Sequence, residues 1–529
     1  DLSKMADSVT PSDPQYTNQW FHKKINSESA WGVTSGNGVK VAVLDNGFYA
    51  NHTELSANVV ETYNASDGTT DVSPVTKESE KSHGTHVAGI IAAKMNNSEG
   101  GCGVAPSASL YLVKLSDSSG SMTIANLVKG INKAAEWKVE VINMSVGSSG
   151  LSYATIQLIQ NAINNAVNNG AVVISAANND GNDSEHYPAA CDNVISVASI
   201  TSSNELASSS CYGDWVDFAA PGVNIYSTAV DNGYTNMTGT SMASPVVAGV
   251  AALIYSKNSS LIDDNSSDTA LAVMEKLKES VDSTTYSSSD SGGSVTGCID
   301  AAAAVDGTPS YSDTTAFYVK TSTGYLTKGG TLWITPGKKI TLTVTDSEGN
   351  KIKAAAKKNA TTYSLSNTTN FTLKNNKLNC LKNTDGYSGG TSYSSSPKTT
   401  VTVTYNGSSV KIKFVALSAI KKISCPDNGE KSYLELNVTQ GSTVSLNSIY
   451  NFCGKYLYYL NKSGDKIGTV DDIGYTLTIP KNAVKNGTLT YGSDGNVLGF
   501  TPNKKGKYIF TVTAPAGVKK KFKIKVRVV

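Results

Sequence analysis

The chain has 529 residues, a net charge of +2 and seven cysteines, enough length for about three domains. No stretch approaches the roughly 18 consecutive apolar residues that span a bilayer, and no cysteine has the CxxC spacing of a zinc or redox site. The near-zero charge hides an asymmetry: residues 1–306 hold 14 lysines against 32 acids, and residues 307–529 hold 31 basic residues against 11 acids.

The chain opens at Asp1-Leu2-Ser3-Lys4 without a charged leader and apolar run, so an exported precursor would have shed its leader. Residues 1–306 alternate strand and helix signals. Val39–Leu44 reads as a largely apolar strand, Thr85–Ala93 as a helix, Leu110–Leu115 as a strand and Ile124–Trp137 as an amphipathic helix. Val139–Met144, Tyr153–Asn168 and Ala171–Ala176 follow as strand, helix and strand, and Val246–Ile254 as an apolar helix. Apolar strands joined by helices predict an α/β fold with a parallel sheet covered on both faces, binding ligands beyond the carboxyl ends of its strands. Cys191 and Cys211 bracket a predicted strand–turn–strand and can pair in an oxidising compartment.

A linker follows at 307–313, containing Gly307-Thr308-Pro309-Ser310. Beyond it the strands are short and alternating. Thr331–Thr335, Lys339–Val344, Thr399–Tyr405, Ser409–Val415, Ser432–Val438, Ser442–Leu446, Tyr508–Val512 and Lys521–Val528 are examples. They predict two all-β sandwich domains of immunoglobulin-like type, at 314–418 and 419–529. The lysine excess there has three readings: docking onto the acidic body, binding an anionic cell-wall or surface polymer, or keeping the tail soluble. The spread of the lysines along the sequence favours solubility.

Four segments of the body carry polar residues where a strand ends or a helix begins. Val41-Ala42-Val43-Leu44-Asp45-Asn46-Gly47 is a buried strand ending in a carboxylate, suited to fixing a histidine tautomer or to forming a turn. His83-Gly84-Thr85-His86 opens a helix. The spacing of His83 and His86 also admits a metal site, but no HExxH follows. Ser175-Ala176-Ala177-Asn178-Asn179 ends a strand with an amide that can donate to an oxyanion or cap a turn. Gly239-Thr240-Ser241-Met242-Ala243-Ser244-Pro245 puts a serine at a helix start, as nucleophile or as N-cap.

Together these segments, with Gly103–Pro106, Val141–Ser145 and Ala219–Gly222, resemble the subtilase family over residues 13–306. The order Asp…His…Ser is that of subtilisin. The resemblance implies that Asp45 orients, His83 is the general base and Ser241 the nucleophile, with Asn179 and the Ser241 amide as oxyanion donors. It implies that Ser145-Val146-Gly147 hydrogen-bonds an extended peptide on one side and Ser118-Ser119-Gly120 forms the opposing edge. Asn178 and His186 stand where the family usually has small residues, which predicts a narrower, more polar S1 pocket accepting polar or basic side chains. Val246-Val247, where many members have a histidine, reads as a packing change. The loop Met95–Gly101 resembles the family's calcium loop, with Glu54 and Asn97 as ligands of a structural Ca²⁺ that the chemistry does not require.

The expected function is a secreted or cell-surface serine endopeptidase acting on polypeptides, without nucleic-acid partner or membrane span. Two rivals remain: an adhesin that uses the protease fold as a scaffold, and a maturation protease of narrow specificity. The family is made with an N-terminal prodomain; none precedes Asp1, so the chain reads as a mature form. A histidine base must be neutral, so activity should rise where free histidine titrates, near about pH 6.5.

Overall fold

A computed structural model describes residues 8–75 and 82–309, and between 317 and 528 the strands and connections given below. The chain divides into two compact units, Asp1–Ser149 with Leu158–Tyr311, and Ser312–Val529 with Gly150–Gln157.

The first unit is built on seven parallel strands: β1 Lys40–Asp45, β2 Val59–Asn64, β3 Ser109–Lys114, β4 Val141–Met144, β5 Val172–Ala176, β6 Ile195–Ile200 and β7 Phe218–Pro221, in the order β2-β3-β1-β4-β5-β6-β7. Every residue of β4, β5 and β6 is buried, as a sheet covered on both faces requires. The longer helices are α1 His83–Ala92, α2 Ile124–Glu136, α3 Tyr153–Asn168, α4 Thr240–Lys257 and α5 Ser267–Glu279. Three of them take their first turn from a capping hydroxyl: Thr123 accepts the Asn126 amide, Ser152 that of Thr155 and Ser266 that of Thr269. These caps satisfy amides that have no partner inside the helix. α4 is buried on nearly every side and packs on β4–β7 and on α1, which explains its lack of a polar face. The strand order reverses around β1, so a crevice opens at the carboxyl edge between β1 and β4.

The Cys191–Cys211 pairing does not form. Cys211 is a buried thiol whose Sγ accepts the Asp180 amide at 3.4 Å; between the two cysteines the chain leaving β6 turns at 201–205 and returns through the Ile200–Leu206 antiparallel bridge. Cys453 and residues 310–313 of the expected linker lie outside the described residues.

In the second unit the strands between 318 and 416 form a five-stranded and a four-stranded sheet around one core that includes Phe317, Val319, Leu342, Phe371, Val401, Ile412 and Phe414. That is a β-sandwich. Strands between 422 and 528 form a four-stranded and two three-stranded sheets, with Tyr459, Phe500, Phe510 and Ile524 buried. Most pairings are antiparallel; 331–334 with 413–416 and 433–438 with 523–528 are parallel. Along Lys521–Val528 exposure alternates, so Lys521, Lys523 and Arg527 share the open face while Phe522, Ile524, Val526 and Val528 are buried.

Candidate active site

Asp45 is the last residue of β1, its side chain 1% exposed, and His83 is the first of α1. Asp45 Oδ1 accepts the Asn46 amide and His83 Nδ1–H, each at 2.7 Å. An acceptor-only carboxylate fixes the proton on Nδ1 and leaves Nε2 with the lone pair. Gly84 permits this approach: a Cβ there would lie 2.3 Å from Gly47 O and 3.1 Å from Asp45 Cβ. His86, one turn along, is fully buried and is no metal ligand; its Nε2–H donates to Ile225 O at 2.9 Å and Thr235 O at 3.1 Å. Burial lowers its pKa to about 4, against partial support from those carbonyls and with the neighbouring His83 adding to the shift.

Ser241 is the second residue of α4, so its amide is among those a helix cannot satisfy internally. Pro245 has no N–H to offer the carbonyl four residues earlier, and that carbonyl is Ser241's. Ser145 Oγ donates to it instead, at 2.9 Å, while Ser241 Oγ donates to Ser145 O at 3.3 Å. Ser145 Oγ also meets Ser244 Oγ at 3.1 Å, and Ser244 Oγ donates to Asn143 Oδ1 at 3.0 Å. The start of α4 is thereby tied to the chain leaving β4. Asn179, beyond β5, accepts the Thr240 amide on Oδ1 at 2.9 Å. With the oxygen engaged, the Nδ2 end of that amide is the one available to a ligand.

Ser145-Val146-Gly147 continues past β4 outside any strand, and the next residue, Ser148, bridges Tyr187 through two hydrogen bonds of 2.9 Å. Val146 is half-buried and Gly147 exposed, so the segment is open to solvent on one side. Ser118-Ser119-Gly120 departs from expectation: it is a turn, not a strand edge. Asp117 Oδ1 accepts the amides of Ser119 and Ser121, the Gly120 amide bonds Asp117 O, and the extended pair is Ser116 with Met122. An Asp side chain that caps amides two and four residues on folds the segment back on itself. Asn178 and His186 do come together: Asn178 Nδ2 donates to His186 Nδ1 at 2.6 Å.

The subtilase family model matches residues 36–294. Thermitase of Thermoactinomyces vulgaris is 42% identical over 256 residues, which is 47% of this chain and 87% of that protein. The chain belongs to the subtilase family. It is a subtilisin-type serine endopeptidase (EC 3.4.21). Subtilisin DY of Bacillus licheniformis is 43% identical over 244 residues, covering 44% of this chain and 82% of that one. A solved protease of Pseudoalteromonas arctica PAMC 21717 is 34% identical, covers 56% of this chain and 99% of its own, and superposes with a TM-score of 0.49.

The donor set at Met95–Gly101, which resembles the family's calcium loop, is compatible with a hard cation, although among the described residues no three His, Cys, Asp or Glu side chains group together. Glu54 is fully buried; its oxygens accept Asn97 Nδ2 at 2.8 Å and Tyr234 OH at 3.0 Å. Burial raises its pKa to about 7, with Asp13 and Glu99 adding to the shift. Asp13, 5% exposed, accepts the Asn96 and Asn97 amides at 2.8 and 3.0 Å. Among the described residues neither carboxylate has a cationic partner. Two buried carboxylates beside a loop of amide and carbonyl oxygens are what Ca²⁺ takes. Sequence reasoning named Glu54 and Asn97 and missed Asp13, which is separated from the loop by more than 80 residues. The signal for it was that the family resemblance begins at that acid.

Proposed function

We propose that the endopeptidase chemistry runs through Asp45, His83, Ser241 and Asn179. The observation that carries this reading is the 2.7 Å hydrogen bond from His83 Nδ1–H to Asp45. It leaves Nε2 as a base at the sheet edge where Ser241 begins a helix. Ser241 Oγ exchanges its bond to Ser145 O for one to His83 Nε2, gives up its proton there and attacks the scissile carbonyl. The oxyanion meets Asn179 Nδ2 and the Ser241 amide. His83 passes the proton to the leaving amine, and water hydrolyses the acyl-enzyme by the same steps reversed. Asp45 holds the ring and stabilises the imidazolium throughout. A peptide lies along Ser145–Gly147, whose solvent-open side supports binding by strand addition.

A bound Ca²⁺ supplies charge neutralisation at Asp13 and Glu54 and no chemistry. Asn97, Asp13 and Glu54 would hold it. We assign the protein to the extracellular side, in keeping with its secreted kind of relatives; among the described residues no helix is long and apolar enough to cross a membrane. The tail is two β-domains, 314–418 and 419–529: among the described residues no strand of 318–416 pairs with one of 422–528. An anionic polymer as tail partner has the shared face of Lys521, Lys523 and Arg527 in its favour.

A maturation protease of narrow specificity is the second reading, favoured by the Asn178–His186 contact beside Ser241. The adhesin reading is disfavoured by the intact hydrogen bonding at Asp45, His83 and Asn179. Fluorescent casein separates them. Hydrolysis by the wild type that Ser241→Ala abolishes is the result expected. Equal signal from both proteins would refute the assignment of Ser241.

A further inference from the structure

β4 and β5 are neighbours in register, Met144 opposite Ser175. Beyond that pair their chains leave the sheet as two lips, 145–147 on one side and 177–179 on the other. Ser241 is bonded to the first lip through Ser145, and Thr240 to the second through Asn179. A peptide aligned on the first lip, with its carbonyl oxygen at Asn179, sends the side chain preceding the scissile bond (P1) into the crevice between them.

That crevice is filled by the protein itself. The Asn178 side chain spans it. Nδ2 donates to His186 Nδ1 at 2.6 Å, and Oδ1 accepts the Asn179 amide at 2.8 Å. On the opposite lip, a Cβ on Gly147 would stand 3.2 Å from the same Nδ2, so the amide sits in close contact with that lip. The floor is closed by the Ser148–Tyr187 bridge and by His186, which is 2% exposed. His186 Nε2 lies 3.1 Å from Asp180 Oδ2 without hydrogen-bond alignment, and the Trp215 ring covers it at 6.3 Å between centroids. Both ends of the Asn178 amide are therefore engaged. Swinging it aside would leave His186 Nδ1 buried without a donor, which is a costly state for a polar atom.

The backbone adds an independent observation. Asn178 has φ 82, in the left-handed region that glycine adopts freely and that asparagine tolerates better than other side chains. Glycine would adopt this backbone at least as readily, so the conformation does not itself require the side chain that blocks the crevice.

The geometry points to a plugged S1 site: Asn178, pinned by His186, restricts P1 to small side chains, alanine, serine and glycine. This rests on the endopeptidase reading and narrows its substrate class. It replaces the expectation of polar or basic P1 residues, because the polar groups that suggested it satisfy one another inside the plug. Asn178 and His186 act here as specificity determinants and take no part in bond breaking.

The test uses the full chain and a peptide series with fixed P2–P4 and P1 varied through Gly, Ala, Ser, Leu, Phe and Lys. The wild type is expected to favour Ala over Phe by about 100-fold or more in kcat/KM. In Asn178→Gly, where glycine keeps φ 82, the Ala-to-Phe ratio falls by at least about tenfold, chiefly through KM for the large substrate. The wild-type profile stands without any variant. Free cleavage after Phe or Lys by a wild type that labels at Ser241 overturns the plug alone, as does an unchanged ratio in the folded variant. Silence toward the whole series, with no fluorophosphonate label on Ser241, overturns the endopeptidase reading and the plug with it.

Discussion

At the scale of single residues the site depends on groups made available by what their neighbours lack. Pro245 lacks an N–H, so the Ser241 carbonyl turns to Ser145; Gly84 lacks a Cβ, so α1 reaches Asp45. Thr240 occupies Oδ1 of Asn179, which aims the other end of that amide outward. On the proposed mechanism, Asn179→Ala removes an oxyanion donor whose bond strengthens in the transition state. It is expected to lower kcat by about 10²–10³ with KM little changed, the magnitude known for the equivalent subtilisin residue. Steady-state kinetics on a single Ala-P1 peptide measures this. A fall confined to KM would mean that Asn179 binds substrate and does not stabilise the transition state.

At the scale of elements, α1 carries a liability along with the base. His86 is fully buried, with Nδ1 unpartnered and a pKa lowered to about 4 by burial. The folded state refuses a proton that the unfolded chain accepts near about pH 6.5. Stability is therefore lost as pH falls from about 6.5 to 4, by up to about 1.4 kcal/mol per pH unit, and this contribution levels off below. His22, buried on the N-terminal helix Trp20–Lys24, has its pKa lowered to about 3 by the same cause and adds to the fall. Urea midpoints between pH 7 and 4 should decline, and His86→Gln should flatten the slope. An unaltered slope in the variant would assign the acid sensitivity elsewhere. Most helices and central strands were readable from apolar runs and periodicity, α3 at both of its ends, while β2, β7 and α5 were not. Ser118–Gly120 was misread because a resemblance transfers position more readily than local geometry, and Asp117 overrides the extended shape with side-chain-to-amide bonds. The Cys191–Cys211 pairing was expected because the two bracket a strand–turn–strand, which says nothing of where thiols point. Asp13 and the Asn178–His186 lock were invisible as contacts, since each joins residues that only the fold brings together. In the lock, the departure from the family's glycine at 178 was legible and its geometric consequence was not.

For the whole molecule, the clusters Phe317–Ala416 and Ala177–Cys298 draw on separate stretches of chain, and apart from Gly150–Gln157 the two units divide between residues 311 and 312. Independent cores unfold as independent transitions. Calorimetry should resolve at least two. Chelator should lower the first unit's transition alone, because Asp13, Glu54 and Asn97 all belong to it. Ligation at a hundredfold over Kd is worth about 2.7 kcal/mol, or about 5 °C for a unit of this size. A single transition, or a chelator shift in the tail's transition, would contradict this division. The acidic first unit and the basic tail also divide the charge. Within the tail, the period-two strand Lys521–Val528 sorts Lys521, Lys523 and Arg527 onto one open face.

Whether Ser241 is a nucleophile activated by His83 is read by intact-protein mass spectrometry after treatment with a fluorophosphonate. One label per chain is expected, mapped to Ser241, absent in Ser241→Ala and strongly slowed in His83→Ala. A label on another residue, or full reactivity after loss of His83, would contradict it.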